Sequence, residues 1–228
     1  MMRSYRRAED GKTQVKHLGC AEDYAFFLEA CLTMWETTFD ERWLIENAQW
    51  AADEAIRLFH DDANGGFFTT GSDAEELIVR PKDLFDNAVP SANSVLALEL
   101  QRLALFTGRK DLEDVALGAM KLLRDVAGRS PLGFGTLLSA VDFYTGDAVE
   151  IVIVGPGSGH LIDAVHRSYW PSKVLIALEQ PRPDVAVDIP LLEGRTDPER
   201  ATAYVCRRGV CDLPVHDAES MLQQMAGH

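Results

Sequence analysis

Residues 80–93 crowd Arg80, Lys82, Asp83, Asp86, Asn87, Ser91 and Asn93 into one short stretch at the start of a helix. Asp83 and Asp86 could act as a carboxylate pair. Glycoside hydrolysis needs such a pair, with the groups roughly 5–9.5 Å apart according to mechanism. The same residue types also have a plain structural use, which is the simpler account. Asp86 and Asn87 suit a turn, Ser91 suits a helix N-cap, and Arg80 with Asp83 can form a local ion pair.

Other residue groups invite other chemistry. Proton transfer next to a carbonyl would require a base such as histidine. Of His17, His60, His160, His166, His216 and His228, only His60 falls among the first helices. Its acidic neighbours Asp61 and Asp62 make it a surface group rather than a catalyst. Gly155-Pro156-Gly157-Ser158-Gly159 follows a strand and opens a helix, and Glu179 lies where a ribose-binding acid would stand. The spacing is GxGxG rather than GxGxxG and no Walker lysine follows, so the segment reads as a flexible turn and nucleotide binding as a weak alternative. Cys206 and Cys211 flank a turn at Arg207-Arg208-Gly209 and could form a disulfide or hold a soft metal. Zinc would need four ligands and only His216 is near, so two reduced thiols are expected and no metal site.

The elements that must position these groups are legible from periodicity. Residues 1–18, with Arg3, Arg6, Arg7, Lys12 and Lys16, read as a basic loop or arm rather than a packed element. From Glu22, Tyr24, Phe27, Leu28, Cys31 and Trp35 share one helical face. A second helix from Asp40 carries Leu44, Ala48, Ala51, Ala55, Ile56 and Phe59 and stops near Asn64-Gly65. Residues 66–70 and 77–79 predict two short strands around a turn at Gly71-Ser72-Asp73. Ser91 caps a third helix with so few polar positions that it must be buried on most sides. A fourth runs from Asp111 to Gly128. A fifth starts at Ser130-Pro131 and turns Phe134, Leu137, Leu138, Val141 and Tyr144 inward. Near Asp147 the pattern changes to strand 150–154, helix 159–169 and parallel strand 173–178, a βαβ unit. After a Pro-rich connector (180–198), strand 201–206, a hairpin turn and a helix from Asp217 follow.

Composition narrows the function class. The 228-residue chain has 22 Lys and Arg against 36 Asp and Glu, a formal charge of −14, and is 46% hydrophobic. An acidic surplus argues against nucleic acid, and no apolar run reaches the ~18–20 residues of a membrane span. The basic start lacks an apolar core, so it is not a secretory signal. With four cysteines and no CxxC, a cytoplasmic location follows as an expectation.

The order of motifs then points to a family. Glu22-Asp23-Tyr24-Ala25-Phe26, Gly65-Gly66-Phe67-Phe68, Arg80-Pro81-Lys82-Asp83 and Pro90-Ser91-Ala92-Asn93-Ser94-Val95 come first. Glu150-Ile151-Val152-Ile153-Val154-Gly155, Pro171-Ser172-Lys173-Val174-Leu175 and the segment from Ala201 to Cys206, with Cys211, follow. This succession resembles the C-terminal part of the spermatogenesis-associated, thioredoxin-domain protein family. The resemblance implies an (α/α)6 toroid of the kind found in N-acylglucosamine 2-epimerase and six-hairpin glycosidases. The thioredoxin-like domain and the first part of the toroid are absent, and five helices cannot close a ring of six hairpins. The fold expected is mainly α with a small α/β unit: a basic segment (1–18), a partial toroid arc (19–147) and a small α/β subdomain (148–228). In that frame residues 80–93 lie at the mouth of the ring. Asp83, Asp86 and Asp23 then become catalytic candidates, with Tyr24, Arg80, Lys82, Asn87, Ser91 and Asn93 as contacts to a carbohydrate-like ligand. The functional expectation is a non-redox module without a cofactor. Its partner would be a second copy, or a chain carrying the missing toroid helices. The alternative is a sugar-active isomerase or glycosidase completed by a second chain.

Overall fold

A computed structural model describes residues 1–7, 11–75, 78–180 and 188–227. Helix α1 (Ala21–Thr38) buries Tyr24, Leu28, Cys31 and Trp35 as its periodicity requires. It stops at Phe39, whose positive φ of 52° turns the chain. The second helix is not uniform. Residues Arg42–Ala48 form wider π-helical turns before α2 (Gln49–Phe59) begins. Asn47 accounts for this locally, since its side-chain amide donates to the Arg42 carbonyl five residues back at 2.7 Å. Both α1 and α2 pack together, and the many alanines of α2 (Ala51, Ala52, Ala55) are fully buried.

Helix α3 (Ala92–Thr107) packs against α1 and against α4 (Lys110–Arg129) and α5 (Gly135–Thr145). Its burial on nearly all sides is the one inferred from its composition. Helix α4 continues one residue past Gly128, its last turn closed by the Ser130 amide on Val126 and Ala127. The fifth helix departs further from expectation. Pro131–Gly133 form only a 3₁₀ turn. Within α5 the inward stripe is Leu137, Ala140 and Phe143, with Phe134 before it. Leu138 (43% exposed), Val141 (36%) and Tyr144 (41%) face outward instead. The helix has two apolar stripes of the same i, i+3 spacing, one residue out of phase, and α3 covers the one that carries Leu137, Ala140 and Phe143.

Two further expectations are corrected. The N-terminal segment is an exposed antiparallel hairpin of β1 (Met2–Arg7) and β2 (Thr13–Leu18), registered Met2 to Leu18 and Arg7 to Thr13. Its side chains lie off the core, so it is an arm, but one with strand pairing. Residues 66–70 and 78–79 form no strand among the described residues, and Leu77 lies outside them. Phe67 makes a single bridge with His60. Its backbone amide and carbonyl go instead to the Asn93 side chain, which takes the place of a partner strand.

Strands β4 (Lys173–Leu178), β3 (Val149–Val154), β5 (Thr202–Arg207) and β6 (Val210–Cys211) form a second sheet in that order. β3 and β4 are parallel, and β5 runs antiparallel to β3. The fold is therefore mainly α with a small α/β unit. On one face Val152, Val154, Val174 and Ile176 join the buried cluster of α1–α5. On the other, Ile151, Ile153, Leu175 and Val205 pack with α6 (Gly159–His166) and α7 (Ala218–Ala226). The connector partly lies outside the described residues (181–187). Cys206 and Cys211, expected as free thiols, are joined by a disulfide because β5 and β6 place them directly opposite each other. Among the described residues no helix is long and apolar enough to cross a membrane.

Charged groups fasten the sheet to the helices inside the core. Glu36 of α1 accepts from Arg102 of α3 (3.0 Å), from Lys173 of β4 (3.2 Å) and from the Leu175 amide (3.0 Å). Arg102 also holds Glu99 at 2.7 Å. Burial pushes the Glu99 carboxyl up to about 7, with Arg102 opposing and the charge on Glu29 adding. Since the unfolded value is 4.5, the folded state holds an extra proton between pH 4.5 and 7. That contribution is full below the lower value and lost as pH rises through the upper one. Glu99→Gln should therefore flatten a fall in stability of about 3 kcal/mol over this window. Urea unfolding at a series of pH values would read it. An unchanged slope in the variant would contradict the assignment.

Candidate functional site

Residues 61–75 and 78–93 reach the end of α2, the starts of α3 and α5 and the middle of α4, and their polar residues meet each other there. Lys82 donates to the Asp61 carboxylate (2.7 Å) and to the Gly65 carbonyl (2.6 Å). This ion pair, helped by the Asn64 amide, holds the Asp61 carboxyl well below its usual range. Arg80 donates to the carbonyls of Leu58 (3.0 Å) and Thr70 (2.5 Å). Its guanidinium lies 4.3 Å from the centre of the Phe68 ring, and the Lys82 ammonium lies 4.9 Å from it. Neither cation pairs with Asp83 as a local ion pair would require; their partners lie on the 58–70 segment.

Asn93, buried, makes a peptide-like bridge. Its Oδ1 accepts from the Phe67 amide (2.7 Å), and its Nδ2 donates to the carbonyls of Phe67 (3.0 Å) and Asp83 (2.8 Å). Gly66 permits this approach, because a Cβ there would sit 2.8 Å from Asn93 Oδ1 and 2.7 Å from Leu122. Ser91 caps α3 as expected, its hydroxyl accepting from the Ser94 amide at 3.1 Å. Asp86 spans two helices. One carboxylate oxygen accepts from the Ser91 amide (2.9 Å), the other from the Thr136 and Leu137 amides at the start of α5 (2.8 and 3.3 Å). Asn87 is exposed and donates to the Phe85 carbonyl at 3.3 Å. Asp83 is exposed, with its backbone drawn in by Asn93.

Asp23 and Tyr24 stand apart from this loop. Asp23 closes the first turn of α1 by accepting from the Cys20 amide (2.8 Å) and pairs with Arg3 at 3.1 Å. Tyr24 is buried between Trp50 and Phe59, and its hydroxyl accepts from the Met1 amine at 2.5 Å. Burial raises its ionisation above the ordinary range, and the charges of Glu54 and Asp73 add to this.

His60 is placed differently from the surface position its neighbours suggest. The loop folds back at Asp61–Gly66, so the ring packs on Phe67 (5.5 Å between centres) and the side chain is only 14% exposed. Its Nδ1 meets Asp62 at 2.8 Å. The exposed edge lines an open cleft of about 540 Å³ between this loop and α4, with Asp62, Asn64, Asp114 and Lys121. Close backbone contact between Gly65 and Gly118 sets the floor, since a Cβ on Gly65 would lie 2.8 Å from the Gly118 oxygen. The glycine turn near 155 has its own structural use. Gly155, at φ +94°, lies against the Arg200 and Asp197 carbonyls, which leaves no room for a Cβ. Among the described residues no group of three or more His, Cys, Asp or Glu is placed to hold a metal ion.

The residues that periodicity did not single out are Glu36, Glu99 and Lys173. A signal for Glu99 existed: an acid three residues before Arg102 in a helix otherwise too apolar to face water.

Comparison with known proteins places the chain in the family that it resembles. No protein-family model matches the chain. Human spermatogenesis-associated protein 20 is 34% identical over 209 residues, which cover 87% of this chain and 26% of that protein. The mouse protein of the same name is 32% identical with the same coverage. A Caenorhabditis elegans protein, uncharacterized protein B0495.5, is 21% identical over 91% of this chain. The chain is thus homologous to spermatogenesis-associated protein 20 and spans about a quarter of the length of these relatives. Asn93→Ala tests the loop's structural role. It should leave buried groups of Phe67 unpaired and cost about 2–4 kcal/mol, while exposed Asp83→Asn stays within about 0.5 kcal/mol. Urea midpoints at constant slope would measure both, and equal effects would contradict the difference in role.

Proposed function

We propose that the chain is an assembly module: a C-terminal α/α-type arc whose open edge at α5 is covered by further helices. These come from a second copy or from a partner chain carrying further toroid helices. The observation that carries this reading is the outward stripe of Leu138, Val141 and Tyr144, with Leu132 exposed in the turn before it. Contiguous apolar surface of this kind marks a contact site. Light scattering over a range of concentrations should find dimers or larger assemblies. Paired Leu138→Glu and Val141→Glu substitutions should return monomers with an unchanged melting temperature. A clean monomer that binds no apolar dye would count against the module.

A second reading rests on the cleft at His60, a sugar-active isomerase or glycosidase-type site completed by another chain. The volume suits a small ligand, and Asp62 orients His60 as a base would require. Asp114 and Lys121 offer partners to hydroxyl groups. The carbohydrate class itself comes by fold analogy alone. Exchange of a sugar's α-proton with deuterated solvent, lost in His60→Ala, would support this reading. No exchange and no binding across a panel of sugars would remove it.

A further inference from the structure

A row of chemistry-bearing residues crosses the second sheet on the face that it turns toward α1–α5. Glu150 of β3 is the register partner of Cys206 on β5, and Cys206 is the partner of Cys211 on β6. Directly opposite residues share a face with Cβ atoms about 4.5–5.5 Å apart. Cys206 and Glu150 are buried, whereas Cys211 is exposed. Above the row stands Arg195, donating to Cys211 Sγ (2.9 Å) and Cys206 Sγ (3.5 Å) and lying over the Tyr204 ring. The remaining charge at the turn, Arg208, is held by Asp147. Arg207 points to the opposite face and donates to the Gln224 and Met225 carbonyls. Asp212 follows Cys211 on the chain.

We propose that Cys206 and Cys211, with Arg195 and Glu150, form a thiol–disulfide exchange site whose substrates are thiols and disulfides. The sequence alone gives a module without redox chemistry; the paired cysteines and their guanidinium supply it. In the reductive direction a thiolate RS⁻ attacks the exposed Cys211 sulfur. An R–S–S–Cys211 bond forms, the Cys206–Cys211 bond breaks, and the electron pair leaves on Cys206. Glu150, the acid beside it in the row, passes a proton to that buried sulfur. A second RS⁻ attacks the R sulfur of the mixed disulfide, giving RSSR and a Cys211 thiolate facing Arg195. Two RSH molecules are oxidised to RSSR and release two protons as they become thiolates. One proton restores Glu150 and the other goes to Cys211 or to solvent. The protein disulfide is thereby reduced to a dithiol, a two-electron exchange that runs equally in reverse. The asymmetry of burial fixes which sulfur is attacked. The guanidinium favours thiolate there, as cationic neighbours do elsewhere.

The test uses the full chain with Cys20→Ser and Cys31→Ser, which leaves the pair alone. Incubation in glutathione buffers of stepped ratio, followed by alkylation and mass analysis, should show one two-electron transition between disulfide and dithiol. In the reduced protein Cys211 should alkylate with a midpoint below the usual thiol value of about 8.5. Arg195→Gln should raise that midpoint by about one unit, tenfold in thiolate at fixed pH, with Arg195→Lys between the two. Glu150→Gln should slow exchange with glutathione disulfide and leave the Cys211 midpoint in place. The proposal is overturned by a bond that no glutathione ratio reduces, by thiols that never pair, or by an Arg195→Gln protein that alkylates like its parent.

Discussion

Glu36 is the point on which the two kinds of secondary structure meet. One carboxylate from α1 takes hydrogen bonds from a side chain of α3, a side chain of β4 and the backbone of β4. Buried ions cost several kcal/mol each to desolvate, and are tolerated only when every lone pair and proton is met. Here Arg102 lies between the carboxyls of Glu99 and Glu36, and Glu36 lies between Arg102 and Lys173, so each cation has an acid beside it. Apolar contact between helices and sheet is non-directional and could slide. The network cannot, because moving β4 by one residue would strip Glu36 of both Lys173 and the Leu175 amide. We see in it the reason that the sheet sits on α1 and α3 in one register.

The same principle runs through the loop that wraps the helix ends. Its side chains read as a ligand site because they carry many donors and acceptors, and those groups face the chain's own backbone. Asn93 replaces a strand, Asp86 starts α5 while holding the entry to α3, and Lys82 seals the turn at Asp61. Polar density in a loop is therefore evidence for hydrogen-bonding demand, and a long irregular connection creates that demand by itself.

Much of this was legible from residue order. The stripes of α1, α3 and α4, the Ser91 cap and the parallel β3–β4 pair follow from local rules, because periodicity and capping act over a few residues. What periodicity missed depends on partners far along the chain. Glu36 and Lys173 are 137 residues apart, and no pattern near either announces the other. Periodicity alone does not find the inward face of α5, because both of its stripes are apolar and only the position of α3 decides between them. Local sequence misplaces His60 for a related reason: the acids beside it predict exposure, while Phe67 folds back over its ring. Likewise the bond between Cys206 and Cys211 follows from register, which a five-residue separation permits without requiring.

The similarity to spermatogenesis-associated protein 20 covers 87% of this chain, which fits a unit held by contacts between helices, loop and sheet. Native-state hydrogen exchange on wild type and Glu36→Gln measures that coupling most directly. In the wild type, amides of α3 and of β3–β4 should share one level of protection. In the variant, the β3–β4 amides should open first while α3 keeps most of its protection. If the substitution left both protected alike, or lowered both by the same amount, Glu36 would not be what joins sheet to helices.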